Sequence, residues 1–115
     1  MAADAGDVFR ALADPTRRRI LDLLAAHGTR SVGELASEFP DLVASGISKH
    51  LMALRAAGLV SATRQGRNQL YRVDGERLSR TVGVWLVKYE RYWAGSLESL
   101  RELVESGASP DGSGT

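Results

Sequence analysis

A helical repeat of apolar residues within 45–58 constrains the fold more than any other stretch of the chain. Ile47, Leu51 and Leu54 recur at the spacing of one helix face, so the serines and basic residues between them lie on the opposite face. Gly58 follows at the position where a glycine commonly ends a helix. The pattern predicts a helix with a polar outer face that stops at this glycine.

Alternating residues follow the helix directly and predict a β-hairpin. The alternation starts at Leu59, halts around Gly66 and Arg67, and resumes from Gln69 to Val73. A polar-faced helix that leads into a hairpin is the form of a winged helix-turn-helix. That form typically binds duplex DNA.

Charge is distributed unevenly along the chain, although the net charge is only +1. No acidic residue lies between Asp41 and Asp74, whereas the rest of the chain has 10 basic and 14 acidic residues. An acid-free basic segment predicts binding to a polyanion, and a merely solvated face is the alternative. Its five cations are Lys49, Arg55, Arg64, Arg67 and Arg72.

Length and composition limit the class of protein. The 115 residues correspond to one domain. The absence of cysteine excludes disulfides, thiolate metal sites and cysteine catalysis. No apolar run is long enough to cross a bilayer, and the acidic N-terminus is unlike a signal peptide. Because no catalytic motif is present either, we expect a cytoplasmic protein that is not an enzyme.

Two helices are predicted before the basic segment. The first spans residues 7–13 and presents Val8, Phe9 and Leu12. Asp14 and Pro15 suit the cap and first position of the second helix, which ends near residue 28.

Three consecutive arginines begin this second helix, at the end of the helix dipole that disfavours cations. Arg17 is a candidate phosphate contact. The alternative is that these arginines pair with Asp14 and Asp22 and point to water.

A capping box opens a third helix. Ser31 and Glu34 have the required spacing, and Val32, Leu35 and Phe39 are expected to point inward. This helix, over residues 32–39, forms the helix-turn-helix together with the following one.

The last predicted helix starts after Asp74 and continues without a break to about Glu105. Its apolar and aromatic stripe is longer than a small core can cover, so we expect dimerisation through the first and last helices. Packing within one chain and a ligand pocket among Trp85, Tyr89 and Trp93 are the alternatives. The expected dimer interface comprises Val8, Phe9, Leu12, Val82, Trp85, Leu86, Tyr89, Trp93 and Leu97.

Polar side chains of the central helix and hairpin are the expected DNA contacts. Serine and lysine on the helix suit the major groove, and the arginines of the hairpin suit phosphate or the minor groove. For Asn68, turn geometry is an equal alternative. The predicted set is Ser45, Ser48, Lys49, His50, Arg55, Arg64, Arg67, Asn68, Gln69 and Arg17.

Four sequence blocks, ALADPTRRRILDLL, SVGELA, SKHLMALRAAGLV and GRNQLYRV, closely resemble the ArsR/SmtB family of bacterial winged-helix repressors. The likeness covers about residues 7–93. It implies a homodimer whose long terminal helices pair, with a recognition helix in the major groove and a wing along the DNA backbone. The turn before the recognition helix is about one residue longer than the common family spacing, which leaves the start of that helix open.

The chain departs from the metal-sensing members of that family. Their paired cysteines correspond to Ser31 and Gly33, and the last helix contains no histidine. His50 belongs to the resembling block, where it faces DNA or packs between helices. The C-terminal pattern VKYERYWAGSLESL resembles a metal-independent branch, in which some members respond to unknown effectors and some are autorepressors. We therefore expect no metal and no cofactor. The resemblance is compatible with a small-molecule effector of unknown identity but does not require one.

These observations define one prediction. The fold is mainly α with a small β-hairpin wing, in the order α-α-α-α-β-β-α, and it is dimeric. Residues 1–105 form the winged helix-turn-helix domain with its dimerisation helices, and 106–115 form a disordered tail. The function is sequence-specific binding of double-stranded DNA by a homodimeric repressor or autorepressor at an inverted repeat. The alternative is a winged-helix module that binds another protein.

Overall fold

The computed structural model describes residues 4–107, which are mainly helical with a small antiparallel sheet, as predicted. The prediction for the tail therefore falls outside the described residues except at 106 and 107. The elements in chain order are α1 (Ala5–Leu12), α2 (Pro15–His27), β1 (Arg30–Ser31), α3 (Val32–Ala36), α4 (Ala44–Ala56), β2 (Val60–Gln65), β3 (Asn68–Val73), α5 (Gly75–Lys88) and α6 (Glu90–Glu105).

Side-chain caps begin most of the helices in the first part of the chain. Asp14 accepts a hydrogen bond from the backbone N–H of Arg17 at 2.9 Å, and Ser31 and Glu34 form the predicted capping box. α1 begins two residues earlier than predicted, because Asp4 caps it in a second capping box. α3 ends at Ala36, three residues before the predicted end.

The hydrophobic core lies where α1 to α4 meet the sheet. Ile47, Leu51 and Leu54 are fully buried, which confirms the predicted inner face of α4. Val8 is only 1% exposed because α1 packs it into the core of its own chain. The prediction that Val8 contributes to a dimer interface is therefore wrong, whereas Phe9 remains 45% exposed.

The hairpin has the predicted strands and tip. β2 and β3 pair from Val60 opposite Val73 to Gln65 opposite Asn68, which leaves a two-residue loop. Gly66 has a φ of +62°, and no residue other than glycine has a positive φ in the described part of the chain. This geometry fits a type II′ turn, which needs glycine at its first central position. Asn68 therefore does not supply the turn conformation, and that alternative is wrong.

A short strand, β1, pairs with the outer edge of β3 and was not predicted. Arg30 lies opposite Tyr71 and Ser31 opposite Leu70, which gives the sheet order β1-β3-β2. Two residues are too few for a recognisable strand pattern, and this strand exists only through its partner.

The long last helix is interrupted at Tyr89, so the prediction of one continuous helix is wrong. Tyr89 has φ −110° and ψ 16°, and the indole N–H of Trp93 donates to the backbone carbonyl of Leu86 at 3.0 Å. That hydrogen bond spans the break, from α6 back to α5. Neither Gly83 nor Gly95 causes the break.

The chain divides into two compact units, one ending at Val84 and the other beginning at Trp85. In the first, Leu78 and Val82 pack partly against the core. In the second, the rings of Trp85 and Tyr89 lie 5.2 Å apart. Within residues 4–107, no helix is long and apolar enough to cross a membrane.

Candidate nucleic-acid interface

The outer face of α4 carries the predicted recognition residues. Ser45 and Lys49 are exposed, and they lie one turn apart on the side opposite the buried leucines. Ser48 is half-buried at the edge of this face. α4 starts after Val43 with no side-chain cap, so its first N–H groups can approach a phosphate. Ser45 lies within this first turn.

His50 lies at the boundary between α4 and the core. Its Nδ1 atom is 3.9 Å from the Asp14 carboxylate, and its side chain is 25% exposed. The Arg17 backbone N–H chiefly holds the pKa of Asp14 below its ordinary value, and the charge of His50 also lowers it. His50 therefore connects the recognition helix to the N-terminus of α2. This contact supports the packing role of His50 that the sequence left open.

The wing positions two polar side chains through contacts of its own. Arg64 and Gln69 lie opposite each other on paired strands. The Arg64 Nε–H donates to the Gly66 carbonyl at 3.2 Å, and the Tyr71 hydroxyl donates to Gln69 Oε1 at 3.0 Å. The side-chain amide N–H groups of Gln69 are thereby turned away from the tyrosine.

Tyr71 was not among the predicted site residues. It is 6% exposed and lies in the core, yet its hydroxyl orients a wing side chain. The two-residue spacing from Gln69 to Tyr71 places both side chains on one face of β3. That spacing is the feature of the sequence that could have indicated a contact between them.

Arg17 does not join this surface. Its Nε–H donates to the Ala11 carbonyl at 2.7 Å, and Arg18 donates to the Leu12 carbonyl at 2.6 Å. Both cations therefore lie at the C-terminus of α1, the end of a helix that favours positive charge. This explains arginines at the start of α2 and argues against a phosphate contact by Arg17.

The cations of the acid-free segment are exposed and lack carboxylate partners among residues 4–107. Ion pairs in that part of the chain involve Arg10, His50, Arg80 and Arg101 instead. The segment therefore keeps a concentrated positive charge that can attract a polyanion. The exposed cations are Lys49, Arg55, Arg64, Arg67 and Arg72.

A second surface lies on the last two helices, neither of which contains a buried residue. Most of the exposed large apolar side chains in the described chain fall between Val84 and Val104. Of the predicted interface residues, Trp85, Leu86, Tyr89 and Leu97 are between 37% and 50% exposed. Trp93 and Val82 are half-buried.

No group of three or more histidine, aspartate or glutamate side chains that could hold a metal ion occurs in the described part of the chain.

Comparison with known proteins agrees with this geometry. A helix-turn-helix domain family matches residues 12–61. The HTH-type transcriptional regulator Rv2034 of Mycobacterium tuberculosis is 35% identical over 98 residues, which cover 85% of this chain and 86% of that protein. The transcriptional repressor SdpR of Bacillus subtilis is 35% identical, over 72% of this chain and 89% of SdpR.

Solved structures extend the likeness to the fold. The homodimeric winged helix-turn-helix DNA-binding domain Mb0332 of Mycobacterium bovis, a possible ArsR-family regulator, is 37% identical with a TM-score of 0.59. The aligned region covers 76% of this chain and 79% of that domain. ArsR-family and ArsR-like regulators of known structure share the fold as well. The chain belongs to the ArsR family of winged helix-turn-helix transcriptional regulators, which are DNA-binding proteins and not enzymes.

Proposed function

We propose that the chain is a sequence-specific homodimeric repressor or autorepressor that binds an inverted repeat in double-stranded DNA. The observation that carries this proposal is the exposed acid-free surface of α4 and the hairpin, whose cations have no carboxylate partners among the described residues. DNA neutralises such a surface with its phosphates.

In this proposal α4 reads bases and the hairpin holds the backbone. Ser45, Ser48 and Lys49 contact base edges in the major groove, where lysine pairs with guanine O6 and N7. His50 positions α4 through Asp14 rather than contacting DNA. The phosphate and minor-groove contacts come from Arg55 and from the wing residues Arg64, Arg67, Asn68 and Gln69.

Self-association is proposed through the last two helices and, as a separate part of the predicted interface, through Phe9 and Leu12 of α1. Nine large apolar side chains between Trp85 and Val104 are exposed in the single chain, such as Leu97 at 50%, and so many exposed apolar side chains indicate an interface. The homodimeric domain Mb0332 is similar in sequence and fold. A symmetric dimer places its two recognition helices about 34–36 Å apart, one turn of DNA. In this proposal, residues 1–105 act as one functional domain.

Repression is proposed because a dimer seated on two adjacent major grooves blocks other proteins from the same DNA. The similar protein SdpR is a transcriptional repressor. We propose that the regulator works without a metal, since Ser31 and Gly33 stand where the metal-sensing members of the family have cysteines. A small molecule of unknown identity is the proposed effector that releases it from DNA.

Selection of bound duplexes from a random pool tests the function. We expect an inverted repeat to be enriched, and its binding to weaken steeply as salt is added. Repeating the titration with divalent metal ions should leave the affinity unchanged, whereas a small molecule that lowers it identifies an effector. Enrichment of no sequence, with binding to another protein that salt does not affect, would instead favour the protein-interaction module.

A further inference from the structure

Met52 is an exposed apolar side chain in the middle of the outer face of α4. It is 66% exposed, and it follows Ser45 and Lys49 at helical spacing on the side opposite the buried Leu51 and Leu54. Single exposed apolar residues are common and need no explanation by themselves. This one differs because the residues around it on the same face are the proposed base contacts.

We infer that Met52 reads the C5-methyl group of a thymine, and this inference rests on the proposed DNA-binding function. The thymine methyl is the apolar group that an unmodified base pair presents in the major groove. Methionine suits such a contact because its thioether chain is flexible and polarizable. A helix face seated in the groove would remove Met52 from water together with that methyl.

Helix geometry limits where the thymine lies. Met52 is three residues after Lys49, which corresponds to roughly 4.5 Å along the helix axis. One base-pair step of B-DNA is about 3.4 Å. If Lys49 pairs with a guanine, the thymine lies one or two base pairs from that guanine in each half-site.

Replacing thymine by deoxyuridine in the selected duplex tests this inference, because the replacement removes only the methyl group. With wild-type protein we expect one thymine per half-site at which the replacement weakens binding roughly three- to fivefold, the effect of one buried methyl. The Met52→Ala variant should bind both duplexes equally. Met52→Leu, which keeps an apolar side chain, should retain the discrimination.

Lys49→Ala is the matched control on the same face. It should lose preference at the guanine while still distinguishing thymine from deoxyuridine. Because Met52 is exposed, its variants should unfold at the wild-type temperature, which circular dichroism checks. Equal discrimination by wild type and Met52→Ala, or none by wild type, overturns the inference while the proposed function stands. If the wild-type protein binds no duplex at all, both the inference about Met52 and the proposed DNA-binding function are overturned.

Discussion

The guanidinium of Arg17 donates a 2.7 Å hydrogen bond to the backbone carbonyl of Ala11. It thereby joins the first turn of α2 to the last turn of α1. We predict that Arg17→Ala lowers the free energy of unfolding by about 1–2 kcal/mol, because carbonyls at the end of α1 lose a charged donor. Denaturant unfolding measures this.

Arg67→Ala is the control for Arg17→Ala, because it is expected to affect DNA binding and not stability. Arg67 is exposed at the wing tip, so its removal should leave unfolding unchanged and weaken DNA binding. Arg17→Ala should keep the DNA affinity of the remaining folded protein. If Arg17→Ala instead weakened DNA binding and left unfolding unchanged, Arg17 would be a DNA contact.

Reversing the charge at the wing tip tests the proposed phosphate contact. We predict that Arg67→Glu weakens binding to every duplex and reduces the slope of log affinity against log salt by about one for each phosphate that the arginine no longer neutralises. Arg101→Glu, the same change of charge on α6, is the control and should alter the slope little. An unchanged slope with Arg67→Glu would show that the wing does not bind phosphate.

Asp14 should make stability depend on pH in the acid range. Its folded pKa is lowered, first by the backbone N–H of Arg17. Its contribution is therefore fully present above the unfolded pKa near 3.8 and is lost as the pH falls through the lower folded value. Asp14→Asn keeps a capping oxygen, so we predict that it flattens this acid dependence and costs little at neutral pH.

Asp14→Ala separates the cap from the charge. It removes the capping oxygen and should lower the free energy of unfolding by about 1 kcal/mol at neutral pH. Thermal unfolding between pH 3 and pH 7 measures both variants. If Asp14→Asn keeps the full acid dependence of wild type, other carboxylates cause it, and Asp7 and Glu34, whose pKa values are also lowered, are the next to test.

The hydroxyl of Tyr71 should act on DNA only through Gln69. We predict that Tyr71→Phe keeps the fold, since it removes only one hydrogen bond of about 1 kcal/mol. It should weaken DNA binding in wild type but have no further effect in Gln69→Ala. Affinities of the two single variants and the double variant give this coupling directly. Additive losses would contradict a positioning role.

Leu97→Glu tests the proposed surface for self-association. Leu97 is 50% exposed in the single chain, so a charge there should leave the protomer folded and shift it from dimer to monomer. Sedimentation velocity measures the shift, and Arg101→Glu adds an acidic residue to α6 outside the apolar stripe as the control. If the Leu97→Glu variant dimerises as strongly as wild type, Leu97 does not lie in the dimer interface.

The sequence by itself determined the parts that depend on neighbouring residues. The caps at Asp14 and Ser31 act within one helical turn, and the buried face of α4 follows from helical spacing. Gly66 supplies the positive φ that the two-residue hairpin turn requires. Resemblance of the surrounding blocks identified the family for the same reason, since these local signals recur in it.

Only the tertiary structure decided what depends on segments distant in the chain. Strand β1 exists because β3 lies beside it, and Val8 is buried because α1 packs onto its own core. The hydrogen bond that links Arg17 to α1 depends on the Ala11 carbonyl at the end of that helix, and the sequence alone offered only a phosphate contact or pairing with Asp14 and Asp22. The break at Tyr89 accompanies the bond between Trp93 and Leu86, which no apolar period reveals. Periodicity tells which side of an element faces inward, but the partner on that side depends on how the chain folds back.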